Sequence, residues 1–443
     1  MAVKTGTVIV GGGQAGLSLS AYLTSRNHPH VVLERGRVGE RWRSERWDSL
    51  HMLTPNSLNR LDGAPGHADP DGFLTRDAFV DYLEQYASSA GMPVRERVDV
   101  LSVERQRGRF RVHTDDGEWV AKQVVVATGD CGVPYRPPAA STAPPQLAQL
   151  DAAQYRRPEQ IAAGSVLVVG AGPSGLQIAA ELRRSGRDVV LAVGRHARGV
   201  RRYRGRDIFH WLQRLGDPEQ SVDDVPAAAR RTPGFGLSGQ NGGEQLDLAT
   251  VSELGVTLAG RLAGFDGLSA SFEDNLRETV EHADHRLFKL LAKIDAHIAE
   301  SSDAAQIPPA EQVAGVQVGE GPRSLDLRAV GVSTIIWATG YKREYPWLHM
   351  PVFDAEGEIV HRRGVTPVPG LFVLGLRFQS RRTSHTIGGV GRDALAIADR
   401  MRPAPQATPK SVWRGRPNLS SLGLRPDALV TPLRSLPQGS GGW

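Results

Sequence analysis

The sequence has very little cysteine: Cys131 is the single thiol among 443 residues. One thiol cannot form an internal disulfide. The same scarcity excludes a redox mechanism in which electrons pass through a pair of cysteines within the chain. We expect Cys131 itself to be a small buried residue rather than a nucleophile, because no base is identifiable near it in the sequence.

Lysine is scarce as well. Only six of the 53 basic residues are lysines, and the 48 acidic residues leave a net charge of +5. Six arginines fall between Arg195 and Arg206, but acidic residues are spread along the whole chain. The composition therefore predicts a solvated cationic loop at this point and no nucleic-acid partner.

Long apolar runs are also missing, which predicts no membrane-spanning segment. The first strand pattern begins within six residues of Met1, so we expect no signal peptide and a cytoplasmic protein. No cluster of His, Cys and acidic residues has the spacing of metal ligands, and we predict no metal site. We expect His282, His285 and His297 to be surface residues.

Two stretches of the chain nearly repeat each other: TVIVGGGQAGLSLSAYL begins at Thr7, and SVLVVGAGPSGLQIAAEL begins at Ser165. Each pattern predicts a buried strand, a glycine-rich turn and a helix. The first glycine allows a tight bend, the second lets a pyrophosphate approach the backbone, and the third lets helix and strand pack closely. The glycines are Gly11, Gly13 and Gly16 in the first stretch and Gly170, Gly172 and Gly175 in the second. The repeat predicts two dinucleotide sites, each with phosphates at a helix N-terminus.

The strands that follow distinguish the two sites. Glu34 ends the first, 18 residues after Gly16, where a carboxylate can accept hydrogen bonds from an adenosine ribose. Arg195 and His196 stand at the corresponding place after the second, 20 residues beyond Gly175. These side chains favour a 2′-phosphate. We therefore predict FAD at the first site and NADPH at the second.

The order and spacing of the motifs resemble the class B flavin-dependent monooxygenases, of the flavin-containing monooxygenase type. Within that group the chain is most similar to bacterial flavoproteins often labelled as involved in potassium transport. The resemblance covers residues 3 to 401 and rests on GGGQAG, RWRSERWDSLHMLTP, VVVATGD, YRRPEQIAAGSVLVVGAGPSGLQIAAEL, RRYRGRD, IIWATGY and GGVGRDA. It implies an α/β fold with two Rossmann-like dinucleotide-binding domains, the NADPH domain being inserted in a discontinuous FAD domain.

The predicted domain boundaries follow from this plan. Residues 1–156 begin the FAD domain, 157–335 form the NADPH domain and 336–400 complete the FAD domain. In similar enzymes, turns such as the two ATG sequences here mark crossings between the domains. Residues 401–443 form a Pro/Arg-rich tail, which we expect to be poorly ordered or to lie as a strap across the surface.

The resemblance also implies which residues contact the cofactors. Around FAD it places Arg35 beside Glu34, Arg41 and Trp42 over the diphosphate, and Leu53 and Thr54 along the isoalloxazine ring. It also places Val98 by the adenine, Thr128 and Gly129 by the pyrophosphate, and Gly375 on the strand near the ribityl chain. Around NADPH it places Gly170, Gly172, Ser174, Gly175, Arg195 and His196.

The chain departs from the family pattern at two places. The family has an asparagine near the reactive flavin carbon where this sequence has Pro55, so we take the adjacent Asn56 as the candidate catalytic residue. The family's linker fingerprint would place its histidine at Asp151, and only the tyrosine of that fingerprint, Tyr155, is kept. Both departures argue against ester-forming oxidation of ketones.

The implied function is an NADPH-reduced, FAD-dependent monooxygenase that inserts one oxygen atom of O2 into a small organic substrate through a C4a-peroxyflavin. Two alternatives stay open at this stage: an FAD/NADPH reductase or dehydrogenase that passes its electrons elsewhere, and a non-catalytic dinucleotide sensor. The substrate, the oxygenated atom and the oligomeric state do not follow from the sequence.

One further segment, NLRETVEHADHRLFKLLAKIDAHIA, predicts a long amphipathic helix inside the NADPH domain. Its apolar residues recur at steps of three and four. They are Leu276, Val280, Ala283, Leu287, Leu290 or Leu291, Ile294 and Ile298. We expect this helix to pack on its domain.

Overall fold

The computed structural model describes residues 1–230 and 232–401. The strands are β1 (Val3–Val10), β2 (His30–Glu34), β3 (Val94–Glu96), β4 (Val100–Gln106), β5 (Arg109–Thr114), β6 (Gly117–Val126), β7 (Val133–Pro134), β8 (Ala148–Asp151), β9 (Ser165–Val169), β10 (Val189–Ala192), β11 (Ala197–Arg198), β12 (Arg202–Tyr203), β13 (Arg206–Asp207), β14 (Phe235–Gly236), β15 (Thr257–Ala259), β16 (Leu262–Asp266), β17 (Ser269–Phe272), β18 (Ser324–Asp326), β19 (Val332–Trp337), β20 (Tyr341–Lys342) and β21 (Leu371–Val373).

The α-helices are α1 (Gln14–Ser25), α2 (Glu40–Ser44), α3 (Arg76–Ser89), α4 (Pro173–Arg184), α5 (Ile208–Arg214), α6 (Ala227–Arg230), α7 (Gln240–Gly243), α8 (Leu248–Glu253), α9 (Leu276–Ala299) and α10 (Val390–Arg400). Short 3-10 turns lie at Asn56–Leu58, Pro138–Thr142, Pro158–Gln160, Asp217–Glu219, Val222–Asp224 and Ala304–Gln306. Apart from Met401, the predicted tail lies outside the described residues.

The first sheet has the strand order β3-β2-β1-β6-β5-β4, and β21 pairs with the end of β6. Strands β2, β1, β6 and β21 run parallel where they pair, whereas β5 pairs antiparallel with the first half of β6. The central residues Val8, Ile9 and Val10 are buried because both faces of the sheet are covered.

The second sheet has the order β15-β10-β9-β19-β8 and is parallel throughout. All of its strands come from between β6 and β21 of the first sheet. The α/β fold with one Rossmann-like unit inserted in the other is therefore confirmed. Strand β8 at residues 148–151 already belongs to the second sheet. The boundaries at 156, 335 and 400 stay predictions.

The two sheets carry the same local unit. β1, α1 and β2 in the first correspond to β9, α4 and β10 in the second, and each glycine-rich turn joins a central strand to its helix. Gly11 and Gly170 have left-handed φ angles of 112° and 109°. A Cβ on Gly16 or Gly175 would collide with the carbonyl oxygen of Gly11 or Gly170, respectively. Packing alone therefore requires the first and third glycine of each turn.

Replacing Gly175 by alanine should lower the free energy of unfolding by about 1–3 kcal/mol, because the new methyl group has no room beside the Gly170 carbonyl. The midpoint of urea denaturation measures this loss. Gly172→Ala is the matched control in the same turn, since a Cβ there meets no atom within 4 Å. Equal midpoints for the two variants would contradict the prediction.

The two ATG turns have a structural reason. Each follows the strand that pairs with the central strand, β6 in the first sheet and β19 in the second. A Cβ on Gly11 would lie 2.6 Å from the carbonyl oxygen of Ala127, and one on Gly170 would lie 2.6 Å from that of Ala338. The turns thus pack against the dinucleotide loops, and the strands that follow them, β7 and β20, pair with each other.

The predicted amphipathic helix is α9, and its apolar face is buried as expected, with Leu291 rather than Leu290 in the buried set. Among the helices of the described residues, none is long and apolar enough to cross a membrane. Within the same residues, no group of three or more His, Cys, Asp or Glu side chains is arranged to hold a metal ion.

Candidate active site

A cavity of about 2250 Å³ runs from the first dinucleotide loop to the second unit. Ligand pockets usually have roughly 300–1,000 Å³, so this cavity has room for more than one large ligand. Many predicted FAD contacts line it. They are Gly11, Gly13, Glu34, Arg35, Arg41, Trp42, Leu53, Thr54, Val98, Thr128, Gly129 and Gly375. The structure thus brings together residues from distant parts of the sequence, from Gly11 to Gly375.

The N-terminus of α1 opens into this cavity. Its N-cap is Gly13, which has an extended backbone and no side chain to bond the free N–H groups of the first turn. A Cβ on Gly13 would meet no protein atom within 4 Å. Protein packing therefore does not require this glycine, whereas a pyrophosphate lying against the backbone does. The residues present fit the phosphates of a dinucleotide.

Glu34 is held beside this loop at the end of β2. Its carboxylate accepts hydrogen bonds from the backbone N–H of Gly12 at 2.6 Å and of Gly36 at 3.0 Å. Each carboxylate oxygen has a further lone pair, so both can still accept a ribose hydroxyl. Val98, whose N–H donates to the Glu34 carbonyl at 2.9 Å, lies next to it. The geometry suits an unphosphorylated adenosine ribose.

A short segment covers one side of the cavity. Arg41 of α2 donates to the Gly132 carbonyl at 2.9 Å, and Trp42 packs edge-on against Phe79 with 4.9 Å between ring centroids. The guanidinium of Arg46 lies over the Trp42 ring at 5.4 Å. Cys131 lines the same region and is half-buried, so it is more accessible than the sequence suggested.

The second loop repeats the first at α4. Gly172 caps the helix without a side-chain hydrogen bond, and a Cβ there meets nothing within 4 Å. Half-buried Ser174 lies in the first turn. Arg195 is exposed after β10, and Arg286 of α9 is near enough that the pKa of Arg286 is lowered, first by burial and then by the Arg195 cation. The second loop therefore also fits a dinucleotide, with cationic groups where a 2′-phosphate would lie.

His196 is placed differently from the prediction. Its side chain is 5% exposed and faces the interior among Leu176, Asp247 and Val280. Its Nδ1 lies 3.2 Å from the Gly194 carbonyl oxygen, and burial lowers the pKa of His196 below its ordinary value. The neutral, buried ring does not face a phosphate, because the backbone turns the side chain after Arg195 inward.

The arginines that follow Arg195 are mostly engaged inside the protein. Arg198 pairs with Asp247 at 3.0 Å and with Asp284 at 2.7 Å. Arg204 pairs with Asp295 at 3.0 Å. The cationic loop predicted from the sequence is therefore largely a set of structural ion pairs.

Arg201 is the most deeply buried of these arginines, at 3% exposure. It donates to the Leu53 carbonyl from both terminal nitrogens at 3.1 Å and to the Ser238 carbonyl at 2.8 Å. It also pairs with Asp207 at 3.1 Å and stacks on Phe73 at 4.8 Å. Arg201 thus fastens the predicted flavin loop to the second unit, which sequence reasoning missed.

Asn56 also has a structural task. Its side chain is 6% exposed, donates to the Asp69 carbonyl at 2.9 Å and accepts from the Leu74 N–H at 2.7 Å. Both ends of the amide are used inside the loop, and Asn56 does not line the cavity, so the structure does not support the predicted catalytic role. Asn59 lines the cavity instead and is tied to Thr54 by two hydrogen bonds of 2.7 and 2.8 Å.

The linker residues connect the units. Tyr155 is fully buried and donates to Glu181 of α4 at 2.9 Å, while Ser49 donates to the other oxygen of the same carboxylate at 2.6 Å. Burial raises the pKa of Glu181. Asp151, at the place of the family histidine, instead forms a two-point ion pair with Arg136 at 2.9 and 3.1 Å.

Comparison with known proteins agrees with this geometry. The family described as pyridine nucleotide-disulphide oxidoreductase matches residues 8–212. A CzcO-like oxidoreductase from Geobacillus kaustophilus is 32% identical over 390 residues, 87% of this chain and 95% of that protein. The indole-3-pyruvate monooxygenase YUCCA1 of Oryza sativa subsp. japonica is 28% identical over 415 residues, 89% of this chain and 90% of that protein.

Among solved structures, the flavin-containing monooxygenase from Stenotrophomonas maltophilia has a TM-score of 0.61 at 21% sequence identity. The match covers 90% of this chain and 98% of that one. It shows that the two proteins share a fold. On the strength of the Geobacillus relative, this chain belongs to the family of CzcO-like oxidoreductases.

Proposed function

We propose that the protein is an FAD-dependent, NADPH-reduced monooxygenase that inserts one oxygen atom of O2 into a small organic substrate. The proposal rests on the two dinucleotide loops, in each of which a Cβ on the middle glycine would meet no protein atom within 4 Å. It rests also on the single cysteine of the chain. The similarity to a plant monooxygenase over 89% of the chain supports oxygenation. The overall reaction would consume NADPH, a proton and O2 and release NADP⁺, water and the oxygenated product.

The protein itself would bind and orient the cofactors and the substrate, and it would exclude water from the site. The N-terminus of α1 and Glu34 would hold the diphosphate and ribose of FAD, and the N-terminus of α4 and Arg195 would hold NADPH. When bound, FAD supplies hydride acceptance and O2 activation. Trp42 and Arg46, whose guanidinium lies 5.4 Å from the Trp42 ring centroid, would cover one side of the cavity. The cytoplasmic location and the lack of a nucleic-acid partner stay predictions.

The test of oxygenation is isotopic. Purified holoenzyme is supplied with NADPH and ¹⁸O2 in the presence of amines, thioethers, ketones and aromatic acids, and products are analysed by mass spectrometry. A product two mass units heavier than that formed in ¹⁶O2, with NADPH consumed in equal amount, is the expected result. NADPH oxidation that yields only hydrogen peroxide across the whole panel would instead indicate a reductase, and a chain that NADPH never reduces would indicate a sensor.

Coenzyme preference should depend on Arg195. A hydrogen bond to a charged group is worth about 1.5–3 kcal/mol, so Arg195→Ala should reduce the NADPH-to-NADH ratio of kcat/KM for flavin reduction roughly tenfold to a hundredfold. Because His196 is buried and neutral, we expect no fall in this preference as the pH rises past neutrality, contrary to what a phosphate contact by His196 would produce.

The matched control for this prediction is Arg202→Ala, which removes another exposed arginine seven residues further along the chain. The control should keep the wild-type ratio. Equal use of NADPH and NADH by the wild-type protein would contradict the assignment of the second site.

A further inference from the structure

Arg286 of α9 is an accessible cation at one end of the cavity. It is exposed, and it lines the cavity together with Ala197 and Arg198 of β11. Within residues 1–230 and 232–401, Arg286 forms neither a hydrogen bond nor an ion pair. Its guanidinium is therefore available to a ligand that enters this end of the cavity.

The packing of α9 on β11 brings Arg286 close to Arg195. Arg198 of β11 pairs with Asp284 of α9 at 2.7 Å. In sequence, this ion pair is three residues after Arg195 and two residues before Arg286. Partial burial lowers the pKa of Arg286, and the Arg195 cation lowers it further. Two positive charges from separate segments thus lie near each other beside the turn that follows β10.

The carboxylate nearest to Arg286 along the chain is engaged elsewhere. One oxygen of Asp284 accepts from Arg198, and the other accepts from the backbone N–H of Val316 at 2.7 Å. An arginine stays protonated near neutral pH even when its pKa is lowered. Arg286 therefore adds a positive charge to this end of the cavity that Asp284 does not balance.

The coenzyme proposed for the second unit carries an anion of matching charge. A phosphate monoester has a charge of about −1.5 to −2 near pH 7, so one arginine balances only part of the 2′-phosphate of NADPH. The pyrophosphate of the same molecule belongs at the N-terminus of α4, where a Cβ on Gly172 would meet no atom within 4 Å. The 2′-phosphate is the group that is left for the arginines beside β10 and α9.

We infer that Arg286 binds the 2′-phosphate of NADPH together with Arg195. This inference rests on the proposed use of NADPH by the second unit. The planar guanidinium fork matches phosphate oxygens, and a second fork would supply the remaining charge. Helix α9 lies outside the β9-α4-β10 unit that the glycine motif predicts. Coenzyme preference then depends on the packing of α9 on β11 as well as on the local motif.

The test uses fragments of the coenzyme, so that binding is measured without turnover. 2′,5′-ADP carries the 2′-phosphate and 5′-AMP lacks it, and isothermal titration calorimetry gives the dissociation constant of each with the FAD-loaded protein. The wild type should bind 2′,5′-ADP about a hundredfold or more tightly than 5′-AMP. Arg286→Ala should reduce this preference roughly tenfold, and Arg286→Lys should keep part of it because the charge is retained.

Arg277→Ala is the matched control, because Arg277 is another exposed arginine of α9. It lies nine residues before Arg286, which is about two and a half turns and therefore the opposite side of the helix. This variant should bind both nucleotides as the wild type does. The urea denaturation midpoint of Arg286→Ala should equal that of the wild type, since an exposed side chain without a partner adds little stability.

An unchanged preference in Arg286→Ala would overturn the inference, and so would equal binding of the two nucleotides by the wild type. An equal loss of affinity for 5′-AMP and 2′,5′-ADP would also overturn it, because the lost contact would then not be with the 2′-phosphate. If Arg195→Ala loses the preference while Arg286→Ala keeps it, the NADPH site stands and the inference alone fails. If Arg286→Ala loses the preference but no substrate incorporates ¹⁸O, the inference stands and only the proposed oxygenation fails.

Discussion

Gly13→Leu is expected to yield folded protein that purifies without bound flavin. The backbone at Gly13 is extended, with φ −89° and ψ −173°, and a Cβ there meets no protein atom within 4 Å. The protein itself therefore tolerates a side chain, whereas the pyrophosphate would lose its place against the backbone. We expect FAD affinity to fall about a hundredfold or more, as measured by flavin absorbance per chain in the purified protein.

Gly172→Leu is the complementary variant, since Gly172 holds the same position in the second turn with the same open surroundings. This protein should be yellow and should be reduced by dithionite but hardly by NADPH. Far-ultraviolet circular dichroism and the thermal midpoint show whether both variants keep the fold. If Gly13→Leu retains one FAD per chain, the first loop is not the FAD site.

Replacing Arg201 by methionine should lower the free energy of unfolding by about 3–5 kcal/mol. The side chain is 3% exposed, and its loss leaves the Leu53 and Ser238 carbonyls without donors and Asp207 without its cation. Methionine preserves much of the apolar contact along the side chain. The loss should appear in the urea denaturation midpoint of the flavin-free protein.

The matched control for Arg201 is Arg204→Met in the same loop. Arg204 is more exposed, and its ion-pair partner Asp295 is 39% exposed. Solvent replaces such a partner at little cost, so this variant should lose at most about 1 kcal/mol. A similar loss of unfolding free energy in both variants would mean that the buried contacts of Arg201 add no more stability than the exposed ion pair of Arg204.

The dinucleotide loops were predictable because their constraints are local. A strand, three glycines and a helix within 17 or 18 consecutive residues leave few alternatives for the backbone. The collisions that forbid a Cβ on Gly16 and Gly175 involve atoms only five residues away, Gly11 and Gly170. Glu34 follows for the same reason, since it ends the strand that pairs directly with β1.

The residues that sequence reasoning misplaced depend on distant neighbours. The side chain of Asn56 forms hydrogen bonds with the backbone of Asp69 and Leu74 within a folded loop. The family's asparagine near the flavin therefore did not reveal that Asn56 has a structural role. Arg201 reaches Leu53 across 148 residues of sequence. A run of arginines does not reveal which member meets a carboxylate, a carbonyl or solvent.

The sequence alone determined the α/β class and the backbone shape of both cofactor loops, because strand, turn and helix patterns are short-range. The insertion of one Rossmann-like unit in another was implied by the family resemblance. Tertiary structure decided which polar side chains face the cavity. His196 turned inward while its neighbour Arg195 stayed exposed, and Arg377 came to lie beside Thr232 of the other unit. Burial and pairing depend on the elements packed against a side chain, and those elements come from remote parts of the chain.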